Sequence, residues 1–402
     1  MSRKLVTVLS DDRKSVLLRT QRLKMARSAH AYVRGSTRQF YAWLEDASAE
    51  IPEGPAVWIC GDCHLGNLGP LADAKGRVTV QVRDLDQAVI GNPAHDLVRL
   101  GLSLASAVRG SDLPGVATAR VLESLMTGYM KALTTDDNDA GTTFQPPEAI
   151  ERLLRHSVRR RWPELAQDRL EANASRIPLG KRFWPLDTAE RSALARLFEG
   201  LDVRVLLTHH RGRAAKADIE LIDAAYWMKG CSSLGRSRYA ALVGIGGGKH
   251  RRLGLIDIKE AVTAAAPRST SAVMPRDNGD RVVAAARALS PNLGERMLAG
   301  RLENHSVTLR ELAPQDLKIE LARTTRAQAT ALALYLGQVI GQAHGRQMDD
   351  VERRGWGGDL SKSTTKALDA PTWLWSSVVD LLGLHEAAYL EHCRQYALAE
   401  TT

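Results

Sequence analysis

The segment GDCHLGNLG (residues 61–69), followed by RDLDQAVIGNPAHDLVRL (83–100), holds the densest set of chemistry-bearing side chains in the chain. Asp62 and Asn67 stand five apart. That spacing occurs in loops that catalyse phosphoryl transfer, where the carboxylate accepts the proton of the attacking hydroxyl and the amide oxygen coordinates magnesium. Asp84, seventeen residues beyond Asn67, stands where a further metal ligand would be, and Asp86 is a second candidate. Phosphoryl transfer asks mainly for positioning and charge neutralisation, which hard oxygen ligands on Mg²⁺ supply. Asp and Asn also favour turns at strand ends; the two motifs in tandem favour the catalytic reading.

Positioning these groups requires strands beside them. After a helical, basic stretch over 11–50, Pro52, Gly54 and Pro55 break the pattern before Val57-Trp58-Ile59-Cys60, an apolar run that reads as a buried strand. Val78, Val80 and Val82 alternate with polar residues after the turn Asp73-Ala74-Lys75-Gly76 and predict another. The expectation is a β-hairpin of these two strands whose ends carry Gly61-Asp62 and Asp84. Residues 96–133 read as helical, 134–147 as a solvated polar loop lacking the Glu of a calcium loop, and 150–217 as helical and basic. Near 218 the texture changes. AAYWMK (224–229), RYAALVG (238–244) and LGLIDIK (253–259) predict a three-stranded meander. A short helix (279–289) and strand-like sequence (305–312) follow. An amphipathic helix with Leu332, Leu336, Val339 and Ala343 on one face ends at His344, and a last helix covers about 372–398. The class is α+β.

GDxHxxN followed by D-L-D and a G-N-P-x-x-D-L segment resembles the aminoglycoside-phosphotransferase type of kinase-like fold. More specifically, the motifs resemble the bacterial domain-of-unknown-function family 2252. That resemblance covers most of the chain: Tyr32-Val33-Arg34-Gly35, residues 57–104, the meander, IDIKEA (256–261), Arg281-Val282-Val283 and Gln342-Ala343-His344. It implies that Asp96 braces the catalytic loop through backbone hydrogen bonds, with Arg34 as a supporting residue; His64 reads either as a contact to a phosphate or to the Asp62 loop or as a buried structural histidine.

The order of segments fits a circular permutation. A kinase places a small β-rich lobe, with a phosphate-covering loop and a β3 lysine, ahead of its catalytic loop. Only Met1 to Gly61 precede Asp62 here, and they hold no such meander. The missing parts come later. Gly230, Ser232, Ser233 and Gly235 lie in a loop between two strands, suited to covering ATP phosphates, and Lys259 ends the third strand, within reach of the α- and β-phosphates. The helix ending at His344 resembles the one that leads into the catalytic loop. The expected fold is therefore two-lobed, kinase-like and circularly permuted. Residues 1–217 and 319–402 form the catalytic lobe, and 218–318 the nucleotide lobe. Two features depart from the pattern. The helix after Lys259 has no Glu, Asp280 being the single acid of 278–291, so the usual lysine–glutamate pair is absent or rebuilt, with Glu295 and Glu303 as candidates. Asp84 is followed by Leu85-Asp86 rather than Phe-Gly, which leaves the metal to either aspartate.

Composition bounds the remaining readings. The 402 residues, 44% hydrophobic and 25% charged, exclude a disordered or fibrous chain, and their number favours two lobes. The net charge of +9 suits polyanionic partners. The amino-terminal MSRKLVTVLSDDRKS carries charge where a signal peptide needs apolar residues, and four cysteines make no disulfide framework. The longest uncharged window, 327–343, is interrupted by Gln328, Gln338 and Gln342. A cytoplasmic protein without a membrane segment is expected. Cys60-Gly-Asp-Cys63-His64 matches the C-x-x-C-H of haem attachment, but without export that reading is set aside, and no second C-x-x-C completes a zinc site. Arg159–Arg161 with Trp162, and His209–Arg213, read as solvated helix faces or as surfaces for an acidic substrate.

The leading expectation is ATP- and Mg²⁺-dependent phosphoryl transfer to a hydroxyl of a small-molecule acceptor. Asp62 is the base, Asn67 with Asp84 or Asp86 holds metal, and Lys259 with the 230–235 loop holds ATP phosphates. The alternatives are a nucleotide-binding regulatory module with weak or no turnover, AMP transfer from the same cleft, and a basic nucleic-acid binder supported by charge alone.

Overall fold

Helices open the chain: α1 (Arg13–Met25), α2 (Ala29–Gly35), whose Ser28 cap accepts from Ala31 N, and α3 (Thr37–Ala47). The computed structural model describes residues 8–396 except 9, 48–50, 112, 114, 135–143, 171–175, 210–211, 230–234, 249–250, 320–324, 363 and 366–367. Most of the polar loop expected at 134–147 lies outside the described residues.

Four short strands follow: β1 (Val57–Ile59), β2 (Leu68–Ala72), β3 (Val78–Val82) and β4 (Val89–Gly91). Their pairing corrects the expected hairpin. β1 pairs antiparallel with β4, Ile59 opposite Val89, and β3 pairs with β2, Val82 opposite Leu68. β2 escapes an alternation search because Leu-Gly-Pro-Leu-Ala is buried along its whole length and shows no polar side. Residues 60–67 and 83–88 thereby become two facing loops between short ladders, tied where Arg83 N donates to Asn67 O at 2.7 Å.

Helices α4 (Ala94–Arg109), α5 (Gly115–Thr134), α6 (Glu148–Arg159) and α7 (Trp162–Leu170) come next. A small strand, β5 (Phe183–Trp184), and helices α8 (Thr188–Phe198) and α9 (Leu201–Thr208) lead into the expected meander, β6 (Ile219–Trp227), β7 (Arg238–Ile245) and β8 (Arg252–Glu260). After α10 (Asn278–Leu289) and α11 (Pro291–Gly294), strands β9 (Met297–Leu302) and β10 (His305–Glu311) complete an antiparallel sheet of order β5-β6-β7-β8-β10-β9. One sheet face, with Tyr239, Ala241, Ile256, Ile258 and Leu309, packs on Leu194 of α8 and Leu206 and Leu207 of α9. These layers reach back before residue 218. The other face is apolar where Ala240, Leu242 and Leu255 meet Leu165 and Leu170 of α7. Farther along it turns charged, with Arg238 opposite Lys259 and Asp257 opposite Arg310.

The remaining helices, α12 (Arg326–Gly345), α13 (Asp350–Lys362) and α14 (Thr372–Tyr396), join α4 and α5 around a core that includes Leu100, Leu122, Leu125, Leu336 and Val378. α12 starts on a capping box, Thr325 with Gln328. It crosses α5 at backbone contact, since a Cβ at Gly337 would lie 2.1 Å from Leu125 O. Gly337→Ala should therefore destabilise the protein by about 1–3 kcal/mol through forced separation of the helices. Urea unfolding measures this, and an unchanged midpoint would contradict the close crossing. Among the described residues no helix is long and apolar enough to cross a membrane.

Candidate active site

The loop after β1 is held by its backbone. Asp96, in the first turn of α4, accepts from Cys60 N at 2.7 Å and Gly61 N at 2.9 Å, and His344 Nε2 lies 3.2 Å from the same carboxylate. His344 Nδ1 is 3.1 Å from the Tyr129 hydroxyl, which accepts from Trp356 Nε1 at 3.1 Å. A carboxylate offers acceptors only, so the tautomer that suits Asp96 carries its hydrogen on Nε2 and leaves Nδ1 to the Tyr129 hydroxyl hydrogen. Burial pushes the Tyr129 phenol well up, which keeps that hydrogen in place. Through this buried chain, α13, α5 and α12 all bear on the loop. Gly61, at φ +70°, has Gln87 O 2.1 Å from where a Cβ would be, so the turn into Asp62 requires glycine.

Asp62 Oδ1 accepts from Arg99 Nε at 3.0 Å, and Oδ2 is 3.9 Å from His64 Nε2. Arg99 is completely buried and also donates to Val33 O at 2.6 Å. Burial raises the Asp62 carboxyl above its ordinary value, against the opposing pull of Arg99 and Thr37. Asn67 commits its Nδ2 to Asp62 O at 3.0 Å, which leaves the amide oxygen for a ligand. Arg99 is a site residue that motif reading misses. Its signal is a charge three residues after Asp96 on a helix that is otherwise apolar at its neighbours, Leu97, Val98 and Leu100.

Lys259 Nζ lies 3.3 Å from both carboxylate oxygens of Asp84 and also pairs with Asp86. Burial would raise Asp84, but Lys259 and Arg238 hold it below the usual carboxylate range; Asp86, buried beside the Asp84 charge, is raised. The two carboxyls are thus pushed in opposite directions. The lysine's partners are these aspartates and neither expected glutamate. Glu295 accepts from Ala74 N at 3.1 Å, and Glu303 occupies the left-handed turn between β9 and β10 at φ 54°. The helix after Lys259 supplies an arginine instead. Arg281 of α10 donates to the Asp86, Ala88 and Val262 carbonyls and so grips the aspartate loop.

Arg34, His64, Asn67 and Asp84 line one cleft together with Arg238, Asp257 and Lys229 from the sheet side and Leu165, Leu312 and Ala313 at an apolar end. Asp62 stands behind His64, its side chain 8% exposed, and Lys259 and Asp86 join through Asp84. Gly235, at φ +99°, lines a different groove with Thr37 and Arg236, and Arg236 pairs with Asp86 at 3.3 Å. Gly230, Ser232 and Ser233 lie outside the described residues. Arg238 and Asp257, absent from the sequence candidates, form a buried bidentate pair that Lys229 joins at 3.3 Å. The Asp84, Asp86 and Asn67 oxygens are a donor set of the hard type that Mg²⁺ takes, and Lys259 now pairs with both carboxylates. Cys60, Cys63 and Asp96 also bring ligand atoms within 4.8 Å of one another. Their mutual hydrogen bond and burial raise the Cys60 thiol. That bond pulls Cys63 down, but burial raises it overall, so both sulfurs keep their protons while Asp96 is committed to the loop backbone.

The family described as an uncharacterized protein conserved in bacteria (DUF2252) matches residues 13–395, a span that takes in every residue of this site. No curated protein and no solved structure matches the chain.

Proposed function

This chain belongs to the DUF2252 family, and from that premise we propose that it is an ATP- and Mg²⁺-dependent phosphotransferase of circularly permuted, two-lobed kinase-like fold, acting on a hydroxyl of a small molecule. The observation that carries the reading is the Lys259–Asp84 pair at 3.3 Å, with Asp84 lining a cleft beside Asn67. A strand lysine from late in the chain meets an Asp-x-x-x-x-Asn loop from early in it. Support for the permutation comes from the end of α12, where Gln347 accepts from Trp58 N at 2.8 Å and donates to Trp58 O at 3.1 Å. The helix that would run into the catalytic loop in the usual order ends against the strand that precedes it.

In this reading Asp62 accepts the acceptor's hydroxyl proton, held in place by Arg99. Asn67 and Asp84, with Asp86 beside them, hold the metal, and Lys259 turns from the aspartates to the nucleotide's phosphates. Bound Mg²⁺ supplies charge neutralisation at the transferring phosphoryl group. A nucleotide-binding module without transfer is the second reading, favoured by the tie between Asp62 and the buried Arg99.

Thermal shift tests nucleotide binding. Mg·ATP should raise the melting temperature by several degrees in wild type, through binding to the folded state alone, and the rise should vanish without Mg²⁺ or in Lys259→Ala. A rise indifferent to both, or none at all, would overturn the nucleotide site. Mass spectrometry of a metabolite mixture incubated with ATP then separates the enzyme from the module.

A further inference from the structure

Basic side chains outnumber carboxylates in the cleft, seven against three, and burial lowers the ammonium of one of them, Lys229, well below its ordinary value. Asp257 engages Arg238 and Lys229, and Asp316 engages Arg310 at 2.7 Å. Arg34, Arg83 and Arg169 make no side-chain hydrogen bond or ion pair with a described residue, and the Nε of each is buried without a partner. Desolvated guanidinium donors without acceptors are costly, and neighbouring like charges add to the cost. Burial lowers Arg169 as well, with the adjacent Arg310 charge contributing.

Magnesium-bound ATP is a dianion, so it answers at most two of the three guanidinium charges, on Arg34, Arg83 and Arg169, that have no partner among the described residues. What remains calls for a further anion, and guanidinium forks suit phosphate oxygens. A route for a second ligand exists. A neighbouring groove shares Arg169, Asp316 and Lys318 with the cleft and is otherwise largely apolar, with Ile150, Leu153 and Leu332 in its wall.

We propose that the acceptor is itself a phosphomonoester, its phosphate bound by Arg83, Arg169 and Arg310, its hydroxyl in the cleft toward Asp62, and any further bulk in the neighbouring groove. The transfer rests on the phosphotransferase reading; the anion site does not. In that transfer the bond between the γ-phosphorus and the ADP oxygen breaks, and a bond from the acceptor's hydroxyl oxygen to that phosphorus forms. The hydroxyl proton passes to Asp62, and the products are ADP and an acceptor carrying two phosphates.

Calorimetry on the full chain saturated with Mg·ADP, at fixed salt, tests the site with inorganic phosphate, glycerol 3-phosphate and glucose 6-phosphate as probes. Saturable binding of at least one monoester, tighter than inorganic phosphate, is expected. Arg169→Gln and Arg83→Gln should each weaken it by about tenfold to a hundredfold, the range for losing a charged hydrogen-bond partner. Mg·ADP affinity should stay within about twofold, and without ligand both variants should melt at or above wild type, because a repelling charge is gone. No saturable probe binding would overturn the proposal. So would equal losses of probe and nucleotide affinity, which would place the arginines on ATP, and so would inorganic phosphate binding as tightly as every monoester. If Mg·ADP fails to bind wild type, the phosphotransferase reading falls alone. The probes are then titrated into ligand-free protein, and Arg169-dependent binding supports the anion site while its absence rejects it.

Discussion

Asp62→Asn should slow transfer to whatever acceptor is found by about 10²- to 10⁴-fold, the range for a positioned general base, while Mg·ADP binds within about threefold of wild type. Arg99 holds Oδ1 at 3.0 Å, the loop backbone is pinned by Asp96, and His64 flanks Oδ2 at 3.9 Å. Asparagine keeps an acceptor for Arg99 Nε but takes no proton. It also removes the countercharge of a completely buried guanidinium, so the variant should lose roughly 3 kcal/mol of stability, and rates must be compared well below its melting transition. Burial raises the Asp62 carboxyl, so the acidic limb of kcat/KM in wild type should fall above the ordinary aspartate range near ~4, and the variant should lack that limb. Wild-type turnover in Asp62→Asn would remove it as the base. Unchanged melting with lost nucleotide binding would move it to the nucleotide site.

Much of this site is legible in local spacing because its parts are contiguous in sequence. Asp62, Asn67, Asp84 and Asp96 fall within a short stretch, and the meander that carries Lys259 announces itself as three apolar, strand-like runs between glycine-rich turns. What escapes is set by pairing at a distance. β2 shows no alternation because both its sides are covered, so β1 finds β4 as its partner and the two loops face each other for a reason no window contains. The partner of Lys259 escapes for a similar reason. An expectation of glutamate on the following helix searches α10, whereas that helix gives Arg281 to the aspartate loop, and the loop gives its carboxylates to the lysine. Arg83, Arg169 and Arg310 come from a loop, a helix and a strand far apart in the chain, and in sequence each is one basic residue among 55. Only the cleft makes them a group.

Asp316→Asn should cost about 3–5 kcal/mol at neutral pH, the range for stripping one partner from a buried ion pair. Arg296 has no exposed surface, and its guanidinium donates twice to Asp316, at 2.9 and 3.1 Å, as well as to the Ala72 and Glu311 carbonyls at 2.9 and 2.8 Å. It therefore ties the end of β2 to the exit of β10, and its charge depends on Asp316 for an answer. Burial would raise the Asp316 carboxyl, but Arg296 and Arg310 bring it down to about 2. A carboxylate held below its unfolded value stabilises the fold at pH above that unfolded value and ceases to as pH falls through the folded one. The stability gap between wild type and variant should thus be full at pH 6 and shrink between about pH 4 and pH 2, followed by urea unfolding across that range. A gap constant with pH would mean that the carboxylate's charge is not what holds Arg296. The same substitution removes one of the three carboxylates of the cleft, so Asp316→Asn should bind a phosphomonoester more tightly than wild type while being less stable. A general loosening of the fold would weaken both, and the opposite signs separate the loss of the charge from the loss of the structure.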